Sequence, residues 1–347
     1  MGLDALLAHL EAREGSDLHL LDGLPPRVRV HGELEDAGEP GPVGPLVEPL
    51  LDARRRALFD AHGEVDLAHA AGAAGRFRVN VFRHHGGMGA VFRRIPARIP
   101  TLEELRIPEA VARLADARGG LVLVTGPTGS GKSSTLAALL ALVNRRDARH
   151  VVTIEDPVEF LHEDDRCTFS QREVGDDTAC FADALRSAAR QDPDLVLVGE
   201  MRDFETIRLA LTLAEMGMLV YSTLHTTSAG RTVDRIVEVF PEDQQAAARA
   251  MLAESLQGVL SQALCRTADG RGRLPATELL LTSTALRSVI REGAAHKVES
   301  MLQAGRAEGM HRMDDSLWRL AEEGAVAGEE AYRLAADKQR FARLLPS

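Results

Sequence analysis

The sequence predicts an α/β protein built on a mostly parallel sheet covered by helices on both faces, with a smaller domain ahead of it and a helical end behind it. Three observations carry that prediction. Four short apolar runs, at residues 121–124, 151–154, 195–198 and 219–224, alternate with stretches of helical periodicity, the pattern that builds parallel sheets. The region before residue 100 instead contains polar/apolar alternation over residues 76–82, the period of a half-buried strand. From about residue 242 onward the pattern is helical.

In chain order, residues 5–13 carry a short helical pattern. Ser16-Asp17 leads into two short strands, Leu18-His19-Leu20 and Arg27-Val28-Arg29-Val30, which Leu24-Pro25-Pro26 punctuates and a His31-Gly32 turn follows. Four prolines and three glycines within residues 38–49 predict an extended loop, and a charged helix follows over residues 52–62. The strand at 76–82 finds its partner at 89–95. Arg78 and Arg93 lie on this pair, where arginines usually face water; distant in sequence from the loop described next, they can act on it only by domain closure or from a neighbouring subunit, as arginine fingers do. Pro96 and Pro100 bracket a linker, and Thr101-Leu102-Glu103-Glu104 resembles a capping box opening a helix. The expected division is therefore 1–98, a linker at 99–105, and 106–347.

The run at 121–124 ends in Gly126-Pro127-Thr128-Gly129-Ser130-Gly131-Lys132-Ser133, followed by Ser134 and a helical stretch. This satisfies G-x-x-x-x-G-K-[ST] in the strand-to-helix context the motif requires. Glycines let the backbone turn tightly and aim successive N–H groups inward, where they and the helix N-terminus meet phosphate oxygens. Lys132 reaches the β- and γ-phosphates, and the Ser133 hydroxyl holds Mg²⁺. Only three of the 41 basic side chains are lysines, so a lysine at this place is informative. Binding of a nucleoside triphosphate, ATP with Mg²⁺, is the expectation.

The later strands each deliver polar groups to one sheet edge, where ligands bind open α/β sheets. The second is followed by Glu155, Asp156 and Glu159, the third by Gly199-Glu200, the fourth by His225. Hydrolysis of a γ-phosphate needs a metal shell, a group that orients and deprotonates water, and positive charge for the transition state. Glu200 follows the LVLV run with glycine where an aspartate is usual, which places the metal shell on Glu200, through water. Glu159, off the strand, is the candidate base, its alternative being a solvated loop carboxylate. His225 either senses the γ-phosphate or is satisfied by a backbone carbonyl. Helices are expected at 182–190, 204–216, 251–264 and 286–292, with Met301, Met310 and Met313 as packing residues.

Composition bounds the function. With 347 residues, 45% of them hydrophobic, the chain can hold two domains with cores of their own. A net charge of −11 and 4% aromatics argue against a nucleic-acid translocase, which needs a basic footprint and stacking platforms. The longest apolar run, at residues 136–143, is eight residues, far short of the roughly 20 that cross a bilayer. Met1-Gly2-Leu3-Asp4 lacks a basic, then apolar, export signal, and Cys167, Cys180 and Cys265 form no paired motif. A cytoplasmic protein with reduced thiols is expected.

Beyond the loop, TIEDPVEF (153–160), SQREVGDDT (170–178), FADALRSAARQDPDLVLVGEMRD (181–203), TLHTTSA (223–229), VDRIVEVFP (233–241), ALRSVIREG (285–293) and GMHRMDDSL (309–317) resemble the secretion-ATPase superfamily, and within it the retraction ATPases of twitching motility. The likeness begins at SDLHLLDGLPPRVRVHGEL (16–34) and spans nearly the whole chain. It implies a PAS-like N-terminal domain, a RecA-like P-loop ATPase domain and a homohexameric ring with nucleotide at its seams. It also implies Glu159 as catalytic glutamate, Glu200 as the Walker-B acid, His225 as the His-box residue, and Arg78 and Arg93 as arginines reaching the nucleotide. The implied setting is the cytoplasmic base of a type IV pilus machine, against an inner-membrane platform protein and alongside a second pilus ATPase. Leu286 and Ser288 replace two residues of the family's Ala-Ile-Arg-Asn segment, which leaves an accessory retraction paralogue as an alternative, and Arg94 is an added charge without explanation. A pilus-assembly or type II secretion ATPase usually carries a long N-terminal extension and a tetracysteine insert, neither of which appears in this sequence.

Overall fold

The computed structural model describes residues 2–30, 32–96 and 98–345. Packing divides the chain into two units: the first runs to Arg98 and also takes in Pro157–Leu161, and the second comprises Ile99–Asp156 and the chain from His162 onward.

The first unit is α1 (Leu3–Ala12), β1 (Asp17–Leu21), β2 (Arg27–Val30), β3 (Glu33–Asp36), α2 (Gly44–Val47), α3 (Ala53–His62), β4 (Glu64–Ala70), β5 (Arg76–His84) and β6 (Gly87–Ile95). Its six strands form an antiparallel sheet in the order β3-β2-β1-β6-β5-β4. Alternation sorts their side chains: Leu18, Leu20, Val28, Phe77, Val79, Val81 and Phe92 join Leu6, Leu7, Leu10 and Phe59 of the helices in one core, and the residues between them take the other face. Asp52 is the N-cap of α3, accepting from Arg55 N at 2.8 Å. The expected loop at 38–49 is not wholly extended, because Pro45 pre-sets the first turn of α2 and a 3₁₀ turn, Glu48–Leu50, follows it. His31, half of the expected turn, lies outside the described residues.

The expected helix at Thr101 is corrected. Its capping box does form, with Thr101 N donating to Glu104 Oε2 (2.8 Å) and Glu104 N to Thr101 Oγ1 (3.1 Å). It caps only a turn, since Arg106 adopts φ 54° and Pro108 lacks a donor, and a 3₁₀ stretch, Glu109–Asp116, follows.

The second unit runs β7 (Gly120–Thr125), α4 (Lys132–Arg146), β8 (His150–Glu155), β9 (Thr168–Glu173), α5 (Phe181–Ala188), β10 (Leu195–Val198), α6 (Phe204–Glu215), β11 (Leu219–Leu224), α7 (Ala229–Glu238) and α8 (Gln245–Ser255). It continues with β12 (Leu256–Arg266), β13 (Arg273–Leu281), α9 (Thr284–Arg291), α10 (Val298–Ala304), α11 (Met313–Glu322), α12 (Gly328–Leu334) and α13 (Lys338–Phe341). The sheet order is β13-β12-β7-β11-β10-β8-β9, parallel except where β13 returns antiparallel to β12. Every residue of β7, β10 and β11 is buried, as continuous apolar strands between two helical layers must be.

Here the expected helix at 251–264 is overturned. The helix α8 stops at Ser255, and β12 then runs beside β7. Leu256, Val259, Leu260, Ala263 and Leu264 have helical spacing in sequence, yet residues 258–262 are all buried, so no alternation marks the strand. Gly258 belongs to the sheet because a Cβ there would lie 2.6 Å from Leu114 Cδ2 and 2.8 Å from Leu280 O. The strands β3, β4, β9 and β13 also had no counterpart in the sequence reading. The end of the chain is helical as expected, with Met310 buried and Met301 and Met313 packed against the cores. Among the described residues no helix is long and apolar enough to cross a membrane.

Candidate active site

The loop between β7 and α4 sits at the middle of the sheet, with β11 on one side of β7 and β12 on the other. Gly126 (φ 144°) must be glycine: a Cβ would stand 2.2 Å from Gln262 O of β12 and 2.6 Å from Ser130 Oγ. Gly131 (φ 89°) is the left-handed N-cap of α4 and offers no capping side chain, which leaves the first-turn N–H groups to an outside acceptor. Lys132 Nζ lies over the loop, donating to Gly126 O (2.9 Å) and Pro127 O (3.1 Å). Pro127, Thr128 and Gly129 are exposed, Ser133 is exposed and Ser134 half-buried.

Two further side-chain hydrogen bonds back the loop. Gln262 Nε2 donates to Thr135 Oγ1 of α4 (3.0 Å), and Thr125 and Ser261 hydroxyls bond at 2.8 Å across β7 and β12. Ser130 Oγ is buried with no hydrogen-bond partner among the described residues. Gln262 escaped the sequence reading because its stretch had been assigned to a helix.

Glu200 follows β10, whose end is stitched to β11 by Ser222 Oγ to Val198 O (2.8 Å) and Thr223 Oγ1 to Gly199 O (2.7 Å). The Glu200 carboxylate is paired at both oxygens, with Arg202 Nη2 at 2.5 Å and with His225 Nε2 at 3.3 Å. Thus His225 Nε2 faces a carboxylate rather than a backbone carbonyl. Arg202, missed in the sequence, lies two residues beyond Glu200, where only the fold shows that the two side chains meet. Immediately after it, Asp203 caps α6, accepting from Thr206 N (2.9 Å) and Thr206 Oγ1 (2.8 Å). Burial raises the Asp203 carboxyl's pKa, but these bonds outweigh it and leave the group below the usual carboxylate range.

Glu159 is half-buried between buried Val158 and Phe160, in the segment that packs with the first unit. Arg78 and Arg93 are direct partners across β5 and β6. Arg78 Nε stands 4.0 Å from Asp66 Oδ1, and Arg93 Nε 2.8 Å from Asp17 Oδ1. The structure therefore joins Glu200 to His225 and Arg78 to Arg93.

The loop fits a nucleotide's phosphates on its own geometry: a backbone approach no Cβ permits, an uncapped helix N-terminus and a lysine held at the loop. No group of three or more His, Cys, Asp or Glu side chains that could hold a metal ion occurs among the described residues.

A phosphate loop with its lysine between the central strand and its helix, and an acid at a neighbouring strand end, is the arrangement of the P-loop ATPases. The family described as type II/IV secretion system protein matches residues 62–333. The chain is 46% identical to the type IV pilus retraction ATPase PilT of Pseudomonas aeruginosa, over 98% of this chain and 100% of that one. It is 36% identical to the type IV pilus ATPase PilU of the same organism, over 95% of this chain and 88% of PilU. The solved structure described as the pilus retraction motor PilT with bound ADP superposes with a TM-score of 0.91 at 39% identity, covering 99% of each chain. This chain belongs to the type II/IV secretion system ATPase family.

Proposed function

We propose that the protein is the motor that hydrolyses ATP to retract a type IV pilus, as a homohexameric ring at the cytoplasmic, inner-membrane base of the pilus machine, working against a platform protein and alongside a second pilus ATPase. The observation that carries this reading is full-length likeness to a pilus retraction ATPase together with an intact phosphate loop and acidic strand end.

In this mechanism the backbone N–H groups of the loop, Pro127 excepted, and Lys132 grip the phosphates, and Ser133 with Glu200 would hold Mg²⁺. Bound Mg²⁺ supplies charge that draws electron density from the γ-phosphate. Arg202 and His225 fix both oxygens of Glu200, so the carboxylate meets its target without reorganising. Glu159 orients and deprotonates the attacking water, His225 reports the γ-phosphate, and Arg78 and Arg93 meet the spreading negative charge. The accessory-paralogue alternative rests on two departures in α9. Leu286 is buried in the core and only Ser288 is exposed, so the change in outward chemistry is one side chain.

Lys132→Ala and Glu200→Ala are expected to abolish steady-state phosphate release, while Glu159→Gln retains bound ATP; single-turnover assays with labelled ATP separate the two outcomes. Wild-type turnover in Glu159→Gln removes that residue from the chemistry.

A further inference from the structure

Ser16 and the start of β1, Asp17-Leu18-His19-Leu20, have no part in the mechanism above, yet Asp17 is an acid placed beside one of the proposed arginines. Registers put Arg29 of β2, Asp17 of β1, Arg93 of β6 and Arg78 of β5 in one row across four adjacent strands, and directly opposed residues share a face. Arg78 and Arg93 are therefore like charges held side by side, an arrangement that destabilises a sheet unless an anion offsets it. Within the row the offset is Asp17. It is only 5% exposed, whereas the Arg93 side chain is 70% exposed.

The manner of attachment matters more than the pairing. Asp17 Oδ1 takes Arg93 Nε (2.8 Å), Asp17 Oδ2 takes the Ser16 hydroxyl (2.7 Å), and no ion pair or hydrogen bond among the described residues engages the two terminal nitrogens of Arg93. A guanidinium anchored through Nε keeps the outward edge of its fork for bidentate contact with phosphate oxygens. We propose that Asp17 is a positioning residue for Arg93, pinning its inner nitrogen so that the terminal pair is presented, already oriented, to the transferring phosphate. Burial raises the Asp17 carboxyl's pKa, but the Ser16 and Arg93 bonds prevail and keep it below its ordinary range, so the anchor is ionised at neutral pH.

This inference rests on the reading that Arg93 reaches the nucleotide, and the experiment separates the two. Steady-state ATPase kinetics are measured for wild type, Arg93→Ala, Asp17→Asn, Asp17→Glu and the double variant Asp17→Asn/Arg93→Ala, each checked for its melting temperature. Expected are a kcat lowered about three- to tenfold in Asp17→Asn with KM for ATP changed less than about twofold, partial recovery in Asp17→Glu, and a double variant no slower than Arg93→Ala alone. If Asp17→Asn does not fold, Asp17→Glu carries the test, with a kcat between those of wild type and Arg93→Ala. Losses that multiply in the double variant, or wild-type kcat in folded Asp17→Asn or Asp17→Glu beside a slow Arg93→Ala, overturn the positioning role. Wild-type kcat in Arg93→Ala overturns the reading of Arg93 itself, and the positioning role falls with it.

Discussion

Asp315 illustrates how much a single side chain carries outside the site. It accepts from Arg306 (2.8 Å), Arg312 (3.2 Å) and Arg340 (2.9 Å), and Arg340 also lies over the Trp318 ring, 4.7 Å from its centroid. Burial raises the carboxyl's pKa, but the three guanidinium bonds outweigh it and leave the group far below the carboxylate range. Because the folded value is depressed, the stabilisation is complete above the unfolded carboxylate value and is lost as pH falls through the folded one. Asp315→Asn is expected to cost about 1 kcal/mol at pH 7, the scale of a partly solvated ion-pair network, and to show a smaller deficit in strong acid, read by denaturant melts across pH. An equal deficit at every pH contradicts the charge argument. Glu200 makes the complementary point about legibility: its place at a strand end was readable from the LVLV run, but the meeting of Arg202 and His225 with its two oxygens was not, because the sheet decides which strand ends meet.

Strands, loop and caps were legible where local chemistry is unambiguous. The parallel strands β7, β8, β10 and β11 announce themselves as short apolar runs between helices, and the loop after β7 as a spacing motif. Legibility failed where burial erased periodicity, as in β12, whose residues 258–262 are all buried, polar Ser261 and Gln262 among them, because β7 and β13 flank it in the sheet. That failure had a consequence for the site, since β12 supplies the Gln262 carbonyl against Gly126 and the Gln262 amide on Thr135. Gly126→Ala is accordingly expected to push β12 and the loop apart. The expected result is ADP binding weakened at least about tenfold, together with a lowered melting temperature of the nucleotide-free protein; isothermal titration and thermal melts measure both. Unchanged ADP affinity contradicts the close approach.

The chain folds as two packed units, each with a core of its own. The parallel sheet and its loop belong to one unit, while Glu159, Arg78 and Arg93 belong to the other. Under the proposed mechanism, hydrolysis therefore requires residues of both, and a ring whose subunits change shape as nucleotide is gripped and cleaved can do work on a filament. The prolines near residue 100 predict a boundary there, whereas no local pattern signals that Pro157–Leu161 packs with the first unit. Live imaging of surface pili in cells lacking the gene, and in the same cells given either the native gene or the Lys132→Ala form, puts the account to the test. It predicts surplus pili that do not shorten, with retraction restored by the native gene alone; normal retraction without the gene, or restoration by Lys132→Ala, contradicts it.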